Sequence, residues 1–166
     1  KNLEDWVNLI RKKKLDFGIA FDGDGDRIGV IDDKGRVLPG DQLLLLFSYE
    51  ILKNKRGAKI IGDVKCSQIL FDEIKKNFGI PIISQTGHSH VKTNIKKNKA
   101  DLAGEMSGHI FFNFDYYGFD DALYSSVKLV ELLDKQSKKL SDIVDQFPKV
   151  FNTPEIRVEC DDLKKF

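Results

Sequence analysis

An α/β fold is predicted for this chain, on two observations. Residues 58–134 alternate apolar strand candidates with helical stretches of about ten residues, as units of strand, helix and strand do. The composition, 41% hydrophobic over 166 residues, is enough to build a real core. Lysine and arginine nearly balance the acids at a net charge of +1, so there is no basic footprint for nucleic acid or for an anionic membrane. Two cysteines, Cys66 and Cys160, are too few for a disulfide framework, and neither a signal-peptide pattern nor a long apolar run is present. A reduced, cytoplasmic protein without a nucleic-acid or membrane partner is the expectation, with Cys66 as a small core residue.

In chain order, Leu3, Trp6, Val7 and Ile10 recur at helical spacing, which predicts an amphipathic helix over 3–12 with Trp6 in the core. Apolar runs at 17–21 and 28–31 predict two strands. Asp32-Asp33-Lys34-Gly35 has turn composition, its acids being turn residues only, and Arg36-Val37-Leu38 returns as a strand. Pro39-Gly40 punctuates the chain, and a domain boundary is placed near it. Asp41 is the expected N-cap of a helix through Leu43 to Leu52. Four strands come next, Lys59–Gly62, Pro81–Ser84, Asp101–Ala103 and His109–Asn113, interleaved with helices Ser67–Asn77 and Ser89–Asn98. A helix from Asp121 to about Lys135 is expected to be capped by Asp120 and to bury Leu129, Leu132 and Leu133. A last helix spans 140–147, and Pro148 and Pro154 bracket a linker into a strand-like Ile156-Arg157-Val158.

Between the first two strands lies Asp22-Gly23-Asp24-Gly25-Asp26-Arg27. Glycines let such a loop curl so that alternate carboxylates converge, and three carboxylates this close repel one another unless a cation neutralises them. Hard oxygens from Asp22, Asp24 and Asp26 suit Mg²⁺, and Arg27 adds a fork of donors for phosphoryl oxygens. An EF-hand is excluded, since its sixth and twelfth positions demand Gly and Glu where Arg27 and Asp33 stand.

In open parallel sheets, ligands collect at the carboxyl ends of strands. Three polar segments succeed strands here: Asp63-Val64-Lys65, Thr86-Gly87-His88-Ser89-His90, and Gly104-Glu105-Met106-Ser107-Gly108-His109. Glu105, Ser107 and His109 share parity, so an extended segment would put them on one face as acceptor, hydroxyl and imidazole. His90 is read as helix surface and Met106 as an adaptable filler.

The acidic loop, followed in this order by Val64-Lys65-Cys66, Thr86-Gly87-His88-Ser89, Gly104 to His109 and Gly118-Phe119-Asp120-Asp121-Ala122, resembles the α-D-phosphohexomutases, specifically the bacterial phosphomannomutase/phosphoglucomutase group. The resemblance covers nearly the whole chain. It implies an α/β architecture with a mixed sheet flanked by helices, one complete domain plus parts of two others. Residues 1–37 would be the later part of the metal-binding second domain, 38–147 the sugar-binding third, and 148–166 a linker and the start of the fourth. By the same resemblance Asp22, Asp24 and Asp26 are Mg²⁺ ligands, and Arg27 lies beside the transferred phosphoryl group. Lys65 and His109 serve proton transfer or charge stabilisation, and His88, Glu105 and Ser107 meet the sugar phosphate. The implied substrates are mannose or glucose 1- and 6-phosphates, interconverted through an enzyme phosphoserine and a 1,6-bisphosphate. No segment resembles the phosphoserine loop or the loop that binds the distal phosphate, so the expectation is an inactive fragment whose partners include the absent first and fourth domains. Two alternatives stay open. One is a phosphatase of the haloacid dehalogenase type built on Asp22, Asp24 and Asp120-Asp121, although Asp26 stands where that family usually has Thr or Val. The other is a non-catalytic remnant.

Overall fold

The structure is a computed structural model and describes residues 4–149. Helix α1 (Glu4–Lys13) precedes an antiparallel sheet of β1 (Phe17–Phe21), β2 (Ile28–Asp32) and β3 (Val37–Leu38). Phe21 pairs with Ile28, so the acidic segment is the loop of a hairpin. The face of α1 that packs inward is set by Ile10, which lies over Gly18, where even a Cβ would come within 2.6 Å of the Ile10 methyl. Trp6, expected in the core, is instead 48% exposed, because a short sheet covers one narrow stripe of the helix.

Helix α2 (Gly40–Asn54) leads into a second sheet of β4 (Lys59–Asp63), β5 (Ile80–Ser84), β6 (Leu102–Gly104) and β7 (Ile110–Phe112), in the spatial order β5-β4-β6-β7. Strands β5, β4 and β6 run parallel, joined through α3 (Gln68–Lys76) and α4 (His88–Asn98), while β7 returns antiparallel to β6. This is a mixed sheet with helices on both faces. Ile60, Leu102, Ile110 and Phe112 pack with α2, α3 and α5 (Ala122–Lys135) on one face. Ile61, Ala103 and Phe111 pack with Val91 and Ile95 of α4 on the other. The alternation along each strand divides neighbouring residues between two cores, as a pleat must.

The large core also takes in Ile28, Val30 and Leu38 of the first sheet, together with Leu140 and Ile143 of α6 (Leu140–Val144). Cys66 is buried in it as expected, its thiol pushed up by burial and by the Asp63 carboxylate beside it. Leu129 and Leu132 are buried and Leu133 packs at the edge.

Several carboxylates stand elsewhere than local pattern suggests. Asp32 is no mere turn residue: wholly buried, it accepts from the backbone amides of Lys34 and Arg36 and from Arg36 Nε at 2.6 Å. Asp33 accepts from the Ser141 amide at 3.1 Å and so caps α6 from a distance. The N-cap position of α2 falls on Pro39, with no side-chain cap bond, and Asp41 is buried within the helix, accepting from the Ser67 amide at the start of α3. The α5 cap is Asp121, which accepts from the Tyr124 amide at 2.8 Å, one residue later than expected. Helix α6 ends at Val144, short of 147, and the expected strand at 156–158 and Cys160 lie outside the described residues. Among the described residues no helix is long and apolar enough to cross a membrane.

Candidate active site

Because β4, β5 and β6 are parallel, their carboxyl ends share one edge of the sheet, and the three polar segments come together there. Lys65 lies exposed in the turn after β4, and His88 is the exposed first residue of α4. Glu105, Ser107 and His109 belong to the tight turn joining β6 to β7, closed by Glu105 N donating to His109 O and Gly108 N donating to Glu105 O, both at 3.0 Å. The extended segment expected there is absent. The turn still gathers the three side chains: Ser107 Oγ and Glu105 Oε2 each lie 2.9 Å from His109 Nδ1. Glu105 is buried, and its other oxygen accepts from the Gly87 amide at 2.5 Å, which ties the turn to the segment ahead of His88.

The acidic loop docks against this turn. Ile28 N donates to Gly108 O at 3.1 Å, Arg27 and His109 form a β-bridge, and Ala122 N at the start of α5 donates to Gly25 O. Gly108 makes the approach possible, having φ +98°, with the Ile28 carbonyl 2.7 Å from where a Cβ would sit. His109 Nε2 thereby comes within 3.3 Å of Asp26 Oδ2. Its imidazole is bracketed by carboxylates, Glu105 at one nitrogen and Asp26 at the other. The hydrogen bond to Glu105 is the main reason its pKa is raised above the ordinary 6.5; burial opposes the rise, and the charge of Asp26 reinforces it. For Glu105 burial works against ionisation, but the bonds from His109 and Gly87 outweigh it and lower the pKa.

Ligand oxygens of Asp22, Asp24 and Asp26 all lie within 4.8 Å of one another. Arg27 grips Asp22 twice, through its backbone amide at 3.1 Å and Nε at 2.5 Å. Burial opposes ionisation of Asp22, yet the bonds from Arg27 prevail and hold its pKa at about 2. Asp26 Oδ1 is buried and has no hydrogen-bond partner, although Arg27 Nε stands 3.7 Å away. A buried carboxylate oxygen without a hydrogen bond, beside two further carboxylates that one arginine faces, fits a hard cation, which would supply further positive charge.

Two neighbours that the sequence reading named, Asp120 as a helix cap and in the phosphatase alternative and Asp63 in a strand-end segment, had no part in its mutase site. Asp120 keeps only 5% of its side chain exposed and meets Lys92 Nζ at 2.6 Å and His88 Nδ1 at 3.6 Å, so it tethers α4 to the start of α5. One of its oxygens, with His109 and Asp26, forms a second group of candidate ligands within 4.8 Å. Asp63 ends β4 and is wholly buried. Its local signal was an aspartate closing an apolar strand, which by itself does not tell an inward carboxylate from a turn residue.

Residues 39–151 match the family profile described as phosphoglucomutase/phosphomannomutase, alpha/beta/alpha domain III, and residues 1–35 match the corresponding domain II. The chain is 45% identical over 166 residues to a phosphomannomutase/phosphoglucomutase of Pseudomonas syringae pv. tomato, a match covering all of this chain and 36% of that protein. It is 37% identical to a phosphomannomutase of Methanocaldococcus jannaschii, over 98% of this chain and 36% of the relative. The crystal structure of a phosphoglucomutase/phosphomannomutase family protein from Burkholderia thailandensis superposes with a TM-score of 0.88 at 41% identity, covering 92% of this chain and 33% of that one. The chain thus spans about a third of the length of the relatives it matches.

Proposed function

The chain belongs to the phosphoglucomutase/phosphomannomutase family, and from that premise we propose that it carries the metal-binding and sugar-binding parts of a hexose-phosphate mutase. The proposed reaction of the whole enzyme interconverts hexose 1- and 6-phosphates of mannose or glucose through an enzyme phosphoserine and a 1,6-bisphosphate. Residues 1–37 are read as the end of its second domain, 38–147 as its third, and 148–166 as the approach to a fourth. The observation that carries this reading is the docking of the acidic loop on the Glu105–His109 turn, which sets a cation-type carboxylate group and an imidazole 3.3 Å apart. Family membership leaves the haloacid dehalogenase alternative without support.

In this proposal Asp22, Asp24 and Asp26 hold Mg²⁺, which when bound neutralises charge on phosphoryl oxygens. Arg27 keeps Nε on Asp22 while half of its side chain stays exposed, which suits it to steady a phosphoryl group at the same spot. His109, with its raised pKa, holds a proton that it can pass to or recover from a sugar oxygen, and Lys65 adds positive charge at the same sheet edge. His88 and Ser107 offer polar atoms to sugar hydroxyls. Glu105 does so with the lone pairs that its two partners leave unused.

Calorimetric titration of this chain with Mg²⁺, with and without glucose 1-phosphate, tests the reading. Weak binding that Asp24→Ala removes is expected. Identical metal binding by the variant would overturn the assignment. In a coupled mutase assay supplemented with glucose 1,6-bisphosphate the 166 residues alone are expected to show no turnover, because none of their serines resembles the family's phosphoserine context; robust turnover would contradict that.

A further inference from the structure

Asp63 sits at the end of β4, between β5 and β6, with no exposed surface. Its oxygens reach all three strand-end segments. Oδ1 accepts from Cys66 Sγ at 3.1 Å in its own turn and from the Met106 amide at 3.3 Å in the turn after β6. Oδ2 accepts from Thr86 Oγ1 at 2.9 Å in the segment after β5. Each of these donors lies within two residues of a candidate site residue: Cys66 beside Lys65, Thr86 two before His88, and Met106 between Glu105 and Ser107.

Burying a carboxylate is costly, and a thiol, a hydroxyl and one long amide contact are modest compensation, so apolar packing would be the cheaper way to fill this position. What an apolar side chain cannot do is accept from three separate loops at once. Glu105 links the last two of these segments to each other, through Gly87. Among the side-chain hydrogen bonds of the described residues, those to Asp63 alone join all three segments at one carboxylate. We propose that Asp63 is a positioning residue for the reaction, a buried clamp that fixes the loops bearing Lys65, His88 and Glu105 to His109 in one register. The proposal deepens the reading of those loops as the sugar-phosphate site and rests on it.

Asparagine is the discriminating substitution. Its carbonyl oxygen can still accept from Cys66 and Met106, and its amide can donate to the Thr86 hydroxyl, which accepts as well as donates. Asp63→Asn should therefore keep the register and Asp63→Ala should lose it. Amide hydrogen exchange on the 166-residue chain reads this without any ligand. In Asp63→Ala the amides of 64–66, 86–88 and 105–108 should lose protection together by about tenfold or more, while β7 and α5 keep theirs, and Asp63→Asn should restore the protection. Uniform loosening of the whole chain would make Asp63 an ordinary core residue, and loosening confined to Met106 would leave it a single local contact. Either outcome overturns the proposal, as does Asp63→Asn behaving like Asp63→Ala. Glucose 1-phosphate in the presence of Mg²⁺, followed by amide shifts, separates the two levels. If the wild-type loops are clamped as described but the sugar phosphate perturbs none of them, the functional reading fails and the clamp stands. If the sugar phosphate binds equally well to wild type and Asp63→Ala, positioning is refuted while the site survives.

Discussion

The acidic loop and the Glu105–His109 turn face one another across a few ångströms, yet they are held in opposite ways. The turn is tied down: Glu105 is buried with each oxygen holding one partner, its backbone closes the hairpin, and Asp63 takes the Met106 amide. The loop is under-satisfied. Asp24 is exposed, Asp26 keeps an orphaned oxygen, and the one strong internal contact is Arg27 on Asp22. On the proposed reading, a site half rigid and half incomplete suits a ligand-completed centre, since pre-organised donors need no rearrangement at the moment of binding while under-paired carboxylates would take the cation that offsets their repulsion.

The sharpest way to break this contrast is to substitute glycines on its two sides. Gly108→Ala puts a Cβ into left-handed backbone and 2.7 Å from the Ile28 carbonyl, and a loss of about 3 kcal/mol in urea denaturation is expected. Gly25→Ala meets nothing within 4 Å although its φ is +73°, so only the backbone conformation is penalised, about 1 kcal/mol. Equal losses would mean that the two regions are held alike. Between these falls Glu105→Ala, which strips partners from the Gly87 amide and from His109; about 2 kcal/mol of stability should be lost.

A smaller effect separates the regions by pH. His109 has a folded pKa above 6.5, so its contribution to stability is complete below about pH 6.5 and fades as pH rises through the folded value. Glu105, with a folded pKa below its ordinary 4.5, contributes above that value and loses it as pH falls. The turn should therefore be steadiest between about pH 4.5 and 6.5, and a His109→Gln variant should flatten the alkaline side of a stability profile. Asp22 titrates at about 2, so the stabilisation from the loop's own ion pair should be complete above about pH 4 and be lost as the solution falls towards about pH 2. Denaturation midpoints measured from about pH 2 to 9 check both windows.

The smallest stability effect belongs to Asp24→Asn, within about 0.5 kcal/mol because the side chain is exposed. Its effect on Mg²⁺ titration should nevertheless be large. A variant that lost stability and kept metal affinity would reverse the roles assigned to the two regions.

Most elements were legible in the sequence because their signals are local. Period-two and period-3.6 patterns located every strand and helix within the described residues to within a few positions, and the glycine-spaced carboxylates announced their loop. Local pattern failed where a side chain answers to distant chain. Whether Trp6 or Ile10 faces inward depended on the width of the sheet beneath α1, and adjacent Asp120 and Asp121 offer identical chemistry until Lys92 and the Tyr124 amide sort them. The partners of buried Asp32 lie two to four residues away, yet its burial comes from the surrounding packing. Asp41 meets Ser67, and Asp33 meets Ser141. Asp63 meets Thr86 and Met106, 23 and 43 residues on. Sequence alone determined the elements and the candidate chemistry, because backbone propensity and side-chain type are carried residue by residue. Tertiary structure decided which carboxylates keep an oxygen without a hydrogen bond and which accept from several segments at once, because a carboxylate's role follows from the donors that packing brings to it.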